Sequence, residues 1–261
     1  MTDLTSDLAL ALDSADIADR ITLDRASAAD LRIHRKPDRT PVTDADLAVE
    51  DAVRTMLRAQ RPQDAVLGEE RGGPPADTGR VWLLDPIDGT KNFLRGVPVW
   101  ATLIALVDHG RPVVGVISAP ALRRRWWAAS GAGAHTRYAD GTTRAITVSS
   151  VGDLADAYIS TTQLGSWAEH RSRESYLSLV DACWENRAFG DFWQHCLVAE
   201  GAIDLAAEPV VCPWDVAAVQ VLVEEAGGRF TDLNGVARYD CGTALSSNGL
   251  LHDAALALLQ R

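Results

Sequence analysis

Asp85 and Asp88 follow an apolar run, Val81 to Leu84, within the segment Trp82-Leu83-Leu84-Asp85-Pro86-Ile87-Asp88-Gly89-Thr90. Two ionised carboxylates about 4 Å apart repel by roughly 4 kcal/mol at an effective dielectric of about 20, so a chain that converges them is suited to taking up a cation there. All-oxygen ligation favours a hard ion such as Mg2+. The neighbouring residues fit the same chemistry. Pro86 fixes φ and carries no N–H, so the chain is expected to leave the strand there and turn the Ile87 carbonyl toward the same ion. Gly89 lets the backbone approach a bulky ligand, and Thr90 adds a hydroxyl and an N–H at an expected helix start, a setting suited to phosphate. A surface turn with two solvated aspartates is the competing reading of a bare D-x-x-D.

The elements that must hold these groups are legible around them. Val81, Leu83 and Leu84 should contribute roughly 1.5–3 kcal/mol each on burial, enough for a stiff strand to deliver Asp85 and Asp88 to a sheet edge. Upstream, Ala65-Val66-Leu67 reads as a short strand ending at Gly68-Glu69-Glu70, from which Glu69 would project. Before it, Thr43 begins a helix with Asp46 as a capping-box acid and Val49, Val53, Met56 and Leu57 as an apolar stripe. Downstream, Asp215 stands before Val216, Val219, Leu222, Val223 and Ala226, a helical stripe closed by Gly227-Gly228, and is an N-cap candidate. Residues 3–29 are expected to form a scaffold helix with Leu10, Ile17 and Ile21 on one face. Prolines mark surface loops at 36–41 and 72–79.

After Phe93 the pattern is that of an antiparallel meander, with β-rich runs at Trp100 to Val107, Val113 to Ser118 and Arg125 to Ala129. Trp126 and Trp127 are expected to split between core and surface. Arg123, Arg124 and Arg125 form the basic cluster, read as a solvated hairpin end or subunit contact rather than a nucleic-acid site. From about Ile146 strands and helices alternate: Tyr158 to Thr161, Glu174 to Cys183, Trp193 to Glu200, Ile203 to Ala206 and a final strand at Arg229 to Asp232. That alternation indicates an α/β layer. Two halves follow, an α+β half at 1–145 carrying the metal-binding motifs and an α/β half at 146–261 carrying the substrate pocket and the third motif.

Composition narrows the function classes. Thirty-six acids against 25 bases give a net charge of -11, which argues against nonspecific binding to nucleic acid or anionic membranes. Cys183, Cys196, Cys212 and Cys241 have no C-x-x-C spacing, the pattern of reduced thiols in a cytoplasmic protein. No apolar stretch reaches the roughly 18 residues that a membrane span requires, and the N-terminus, with Asp3 and Asp7, lacks a basic leader region. The histidines form no H-E-x-x-H or i, i+4 metal pair, so none is assigned to catalysis.

The segment Trp82 to Phe93, with Gly68-Glu69-Glu70, Pro213-Trp214-Asp215-Val216-Ala217-Ala218 and Glu224-Glu225-Ala226-Gly227-Gly228, resembles the ordered motifs of the inositol monophosphatase family of metal-dependent phosphatases. The resemblance implies a layered αβαβα sandwich of mixed α+β and α/β character. It also implies a Mg2+-dependent phosphomonoesterase holding two or three ions through Glu69, Asp85, the Ile87 carbonyl, Asp88 and Asp215, with Asp46 and Lys36 as further metal-loop candidates. Glu69, Thr90 and Asp88 then carry catalysis: Glu69 and Thr90 orient and help deprotonate a water that attacks phosphorus directly. The Gly89 and Thr90 N–H groups steady the phosphate. A homodimer and a small-molecule substrate are expected.

Specificity lies outside these motifs. Glu208 and Gly190-Asp191-Phe192 match substrate-facing segments of the family, and Arg187 joins Asp191 and Glu208 as a substrate-binding candidate. The inositol-specific relatives are small and neutral at the second segment, so an acidic Asp191 disfavours a plain polyol and suits a cation. Gly190-Asp191-Phe192-Trp193 and Arg95-Gly96-Val97-Pro98-Val99-Trp100 look most like the histidinol-phosphate phosphatase branch, whose substrate carries an ammonium and an imidazole. Trp193 is read as an imidazole cover or a core residue, and Asp191 as a substrate ligand or a helix cap. Three functions stay in competition: histidinol-phosphate phosphatase, a relative acting on inositol phosphate, sugar bisphosphate or nucleotide 3'-phosphate, and a nonenzymatic metal or phosphate sensor. A haloacid dehalogenase phosphatase is disfavoured because that family spaces its acids as D-x-D.

Overall fold

The computed structural model describes residues 4–35, 40–74 and 79–261. Helix α1 (Thr5–Ala26), the antiparallel pair β1 (Ile33–Arg35) and β2 (Pro41–Thr43), and helix α2 (Asp44–Gln60) come first. They lead to β3 (Ala65–Gly68), β4 (Arg80–Asp88), the short helix α3 (Thr90–Leu94), β5 (Ala101–Asp108), β6 (Arg111–Ala119), β7 (Arg124–Ala129), β8 (Ala134–Arg137) and β9 (Thr143–Ile146). These last seven strands form one sheet in chain order, parallel at β3–β4 and antiparallel beyond.

The second sheet uses β10 (Tyr158–Ser160), β11 (Glu185–Arg187), β12 (Leu205–Glu208), β13 (Arg229–Thr231) and β14 (Ala244–Ser247), in the order β11-β10-β12-β14-β13. Helices α4 (Leu164–His170), α5 (Arg173–Ala182), α6 (Asp191–Ala199), α7 (Pro213–Glu225) and α8 (His252–Leu259) accompany it.

Side-chain alternation stacks these pieces. Trp82 and Leu84 of β4 face Leu10, Ala15, Val53 and Leu57 of α1 and α2, whereas Val81 and Leu83 face Phe192 and Cys196 of α6 and Val219 and Leu222 of α7. The unbroken apolar run is therefore that of a strand covered on both faces. Beyond α6 and α7 lies the second sheet, whose outer face packs Ile159, Leu205 and Leu245 against Trp167, Tyr176, Leu179 and Leu256. The result is the expected αβαβα sandwich, with α7 buried between the two sheets.

Several expectations need correction. Helix α1 ends at Ala26, and its buried face is built of Leu10, Ala11, Ser14, Ala15, Ala18 and Thr22, with Ile17 and Ile21 only half-buried, because the close approach to α2 and β6 favours small side chains. Strand β4 is interior to its sheet, and the chain does not leave it at Pro86. Pairing continues from Asp85↔Leu103 to Asp88↔Ala101, so three steps on β4 oppose two on β5. The bulge accommodates the missing proline N–H, while Thr102 Oγ1 donates to the Pro86 carbonyl at 2.7 Å. The meander gains β8 and β9, which Gly- and Ala-rich sequence had concealed.

The arginine cluster is a solvated hairpin end only at Arg123. Arg125 is buried and reaches Asp16 and Asp19 of α1 at 2.7 Å each, and Arg124 pairs with Glu200 at the end of α6. Trp126 is fully buried and Trp127 half-buried, the split that was expected. Asp215 is the third residue of α7 rather than its N-cap, which is Cys212. Helix α6 starts at Asp191, with Gly190 as its cap, so Asp191 is not a cap residue either. Among the described residues no disulfide joins the cysteines, and no helix is long and apolar enough to cross a membrane.

Candidate active site

The parallel register Gly68↔Leu84 sets the end of β3 beside the end of β4, and the Glu69 N–H donates to the Leu84 carbonyl at 3.1 Å. Glu69 thus emerges next to Asp85. Its turn is fixed from below by Glu50, a fully buried carboxylate on α2 that accepts the Glu70 N–H at 2.8 Å and the Arg71 N–H at 3.0 Å. Arg54, one helical turn on, neutralises Glu50 at 2.7 Å and donates to the carbonyls of Val66 and Gly72. Gly68 has no room for a side chain, since a Cβ there would overlap the Glu50 carboxylate.

Strand β4 then supplies Asp85 and Asp88. Gly89, with φ 85°, makes the left-handed step into α3, a conformation other residues take only at a cost. The Thr90 hydroxyl donates to the Ile87 carbonyl at 3.0 Å, and the Ile87 side chain packs with Ala45, Phe93 and Trp100. Asp215 comes from the first turn of α7, where its Oδ2 accepts the Cys212 N–H at 2.8 Å in a capping box. Asp46 caps α2 through Oδ2, which takes the Thr43 N–H at 2.8 Å and the Thr43 hydroxyl at 2.6 Å, while its buried Oδ1 has no partner.

These acids lie in one another's field. Burial, then the charges of Glu69, Asp88, Asp215 and Asp46, hold the Asp85 carboxyl well above the usual carboxylate range, and its buried Oδ1 has no hydrogen-bond partner. Asp88 is raised well above that range by burial and by Asp191 and Asp215, against the Phe192 N–H that donates to its Oδ2 at 2.7 Å. Burial pushes Asp215 up to about 7 despite the Cys212 N–H, with Glu69, Glu208 and Asp191 adding to the rise. Asp46 rises to about 6 through burial, opposed by its bonds to Thr43 and supported by Glu69. Either protons or a cation must relieve this crowding.

A cleft of about 320 Å³ opens over Glu69, Gly89, Thr90 and Asp191, with Thr40, Lys91 and Asn92 on its wall. A second pocket of about 160 Å³ adjoins it, lined by Thr162, Ser166, Gly190 and Glu208, and the two share Gln163 and Asp191. Asp191 holds a left-handed backbone, φ 45°, and its Oδ2 accepts from Asn92 Nδ2 at 3.0 Å. A non-glycine residue in that conformation is strained, and such strain is often found at functional sites. Burial raises the Asp191 carboxyl to about 6, the charge of Glu208 adds to it, and Lys91 opposes it.

The structure therefore brings together Glu69, Asp85, Asp88, Asp215, Asp46, Gly89 and Thr90, and sets Asp191 and Glu208 at the adjoining pocket. Among the described residues no group of three or more His, Cys, Asp or Glu stands as a ready-made ion site. Arg187, the third substrate-binding candidate, lies on edge strand β11, exposed, with its guanidinium on Glu185 at 2.5 Å, and lines neither pocket. Lys36 lies outside the described residues. Glu50, Asn92, Gln194 and His195 were missed as supports of the site. Glu50 had left a signal, a charged residue on the apolar stripe of α2 one turn after Asp46.

The inositol monophosphatase family model matches residues 3–261. This chain belongs to the inositol monophosphatase family. Among curated relatives, the histidinol-phosphatase of Mycobacterium tuberculosis is 56% identical over 97% of each chain. That of Streptomyces coelicolor is 48% identical over 100% of this chain and 99% of its own. Among solved structures, an inositol monophosphatase from Zymomonas mobilis superposes with a TM-score of 0.86 at 31% identity over 100% of both chains. Enzymes of this family are metal-dependent phosphomonoester hydrolases. The donor set here fits a hard divalent ion, since the candidate donors are all oxygens and the buried Oδ1 atoms of Asp85 and Asp46 lack partners.

Proposed function

We propose that the chain is a Mg2+-dependent histidinol-phosphatase, releasing L-histidinol and phosphate from L-histidinol phosphate in histidine biosynthesis. Two full-length relatives bearing that name support the substrate. The observation that carries the reading is the carboxylate pair, Asp191 and Glu208, at a pocket that opens directly off the acid cluster. Phosphate belongs at the cluster, and the alcohol it is esterified to reaches the pair. Two acids there select a cationic alcohol over a neutral polyol.

In this reading Glu69, Asp85, the Ile87 carbonyl, Asp88 and Asp215 hold two or three Mg2+ ions, with Asp46 Oδ1 as a further donor. When bound, the ions supply charge to the phosphate oxygens and the leaving alkoxide and lower the pKa of a water. The Thr90 hydroxyl, its hydrogen held by the Ile87 carbonyl, accepts from the attacking water and orients it, and Glu69 takes the water's proton. The Gly89 and Thr90 N–H groups steady the phosphate as the phosphorus–oxygen bond to the alcohol breaks, and the alkoxide takes its proton from water. A cytoplasmic homodimer completes the proposal, with the absence of disulfides among the described residues supporting the compartment.

A phosphate-release panel tests it: histidinol phosphate, inositol 1-phosphate, a sugar bisphosphate and a nucleotide 3'-phosphate, each with Mg2+. Histidinol phosphate should give the highest kcat/KM. Equal or higher kcat/KM on inositol phosphate would reject the assignment.

A further inference from the structure

Glu208 is held from behind by two residues of α6. Gln194 Nε2 donates to its Oε1 at 2.5 Å, and His195 Nε2 lies 3.3 Å from the same oxygen. The other face of the imidazole is occupied too, with Nδ1 at 2.8 Å from Ser246 Oγ of β14. The histidine is 1% exposed. A carboxylate only accepts, so Nε2 carries a hydrogen, and Nδ1 pairs with the Ser246 hydroxyl. The chain of hydrogen bonds runs from the second sheet through α6 into the pocket and ends on Glu208.

Both bonds fall on Oε1, which leaves Oε2 for whatever enters the pocket. Asp191, Gln194 and His195 stand at i, i+3 and i+4, on one face of α6. One helix face thus provides one acid of the pair and both handles on the other. We infer that His195 is a positioning residue for substrate choice: it fixes Glu208 as an oriented carboxylate beside Asp191, and so makes the pocket select a cationic leaving group. The inference rests on the proposed reading of that pocket as the seat of a cationic alcohol.

The test uses the Mg2+-loaded enzyme with two substrates, histidinol phosphate and glycerol 2-phosphate, whose alcohol is uncharged, and compares the ratio of their kcat/KM values. His195→Phe keeps the ring volume and removes the donor. It should lower that ratio about tenfold, mainly through KM of the cationic substrate, as expected for losing a bond to a charged group. His195→Gln, which can place an amide donor near Nε2, should recover most of the ratio. Should His195→Phe not fold, Ser246→Ala removes only the outer partner and should lower the ratio about threefold, a smaller loss because the bond to Glu208 itself survives.

Equal losses on both substrates in His195→Phe, with no recovery in His195→Gln, would mean a packing role only and overturn the inference. Glu208→Gln separates the two levels. If it leaves the ratio unchanged, the cationic reading of the pocket falls and His195 falls with it. If it erases the ratio while His195→Phe and Ser246→Ala preserve it, the reading of the pocket stands and the role of His195 is rejected.

Discussion

Asp46 divides its work between its two oxygens, and that division shows how the site is assembled residue by residue. Oδ2 closes the capping box of α2, while Oδ1 is buried without a partner and the carboxyl feels the charge of Glu69. Asp215 repeats the arrangement at the start of α7, with a capping bond on one oxygen and the charges of Glu69, Glu208 and Asp191 around it. In both cases the helix cap and the proposed ligand are compatible in one side chain. Asp88→Asn removes a charge and little volume, so the variant should melt within a few degrees of the parent while phosphate release falls by about 100-fold or more at saturating Mg2+. Unchanged turnover would reject its role. The raised carboxyls also predict a pH dependence of the metal-free protein. Asp46, Asp191 and Asp215 take up protons up to about pH 6 to 7 when folded, against an ordinary value of 3.8. The folded chain therefore binds more protons than the unfolded chain across that window. Their favourable contribution is complete below about pH 4 and is lost as pH rises to about 7. Metal-free protein should melt higher at about pH 5 than at about pH 7.5, and Mg2+ should narrow the difference. Melting curves that rise with pH over this range would contradict it.

Among the elements, the turn after β3 depends on a single void. Gly68 leaves the space that the Glu50 carboxylate fills, and Glu50 in turn orders the N–H groups beyond Glu69. Gly68→Ala should destabilise the fold by about 1–3 kcal/mol and raise the Mg2+ concentration for half-maximal activity, because Glu69 loses its support. Denaturant midpoints and a Mg2+ titration check both, and an unchanged pair would contradict this role for Glu50. The positions of Asp85, Asp88 and Glu69 were legible because each lies within a few residues of the end of an apolar run whose strand could be read. Gln194 and His195 were not, and Glu50 showed only as a charge on an apolar stripe, without its partners. What they do is set by contacts with Glu70, Arg71, Glu208 and Ser246 across distant parts of the chain, and no local pattern encodes those distances. The position of Arg187 was not legible either, since an edge strand sets its side chain to solvent and Glu185.

At the scale of the whole molecule, α7 ties the layers into one body. It begins beyond residue 146, yet packs on the sheet made by residues 65–146, while its neighbour α6 touches α7 and strands of both sheets. We propose the division at 145/146 as topological rather than as a boundary between independently folding units. The metal-free protein should then unfold in a single calorimetric transition, with van't Hoff and calorimetric enthalpies that agree. Two separate transitions would restore the division. The sandwich itself was legible only through the family resemblance, since periodicity suggested its elements but not that two helices would lie buried between two sheets. The central claim is that the gathered acids act through a divalent ion, and it is tested by phosphate release from histidinol phosphate after chelator treatment, as Mg2+ is titrated back. The account predicts no release above background without Mg2+ and a saturable recovery on its return. Full release in excess chelator, or none at any Mg2+ concentration from folded protein, would contradict it.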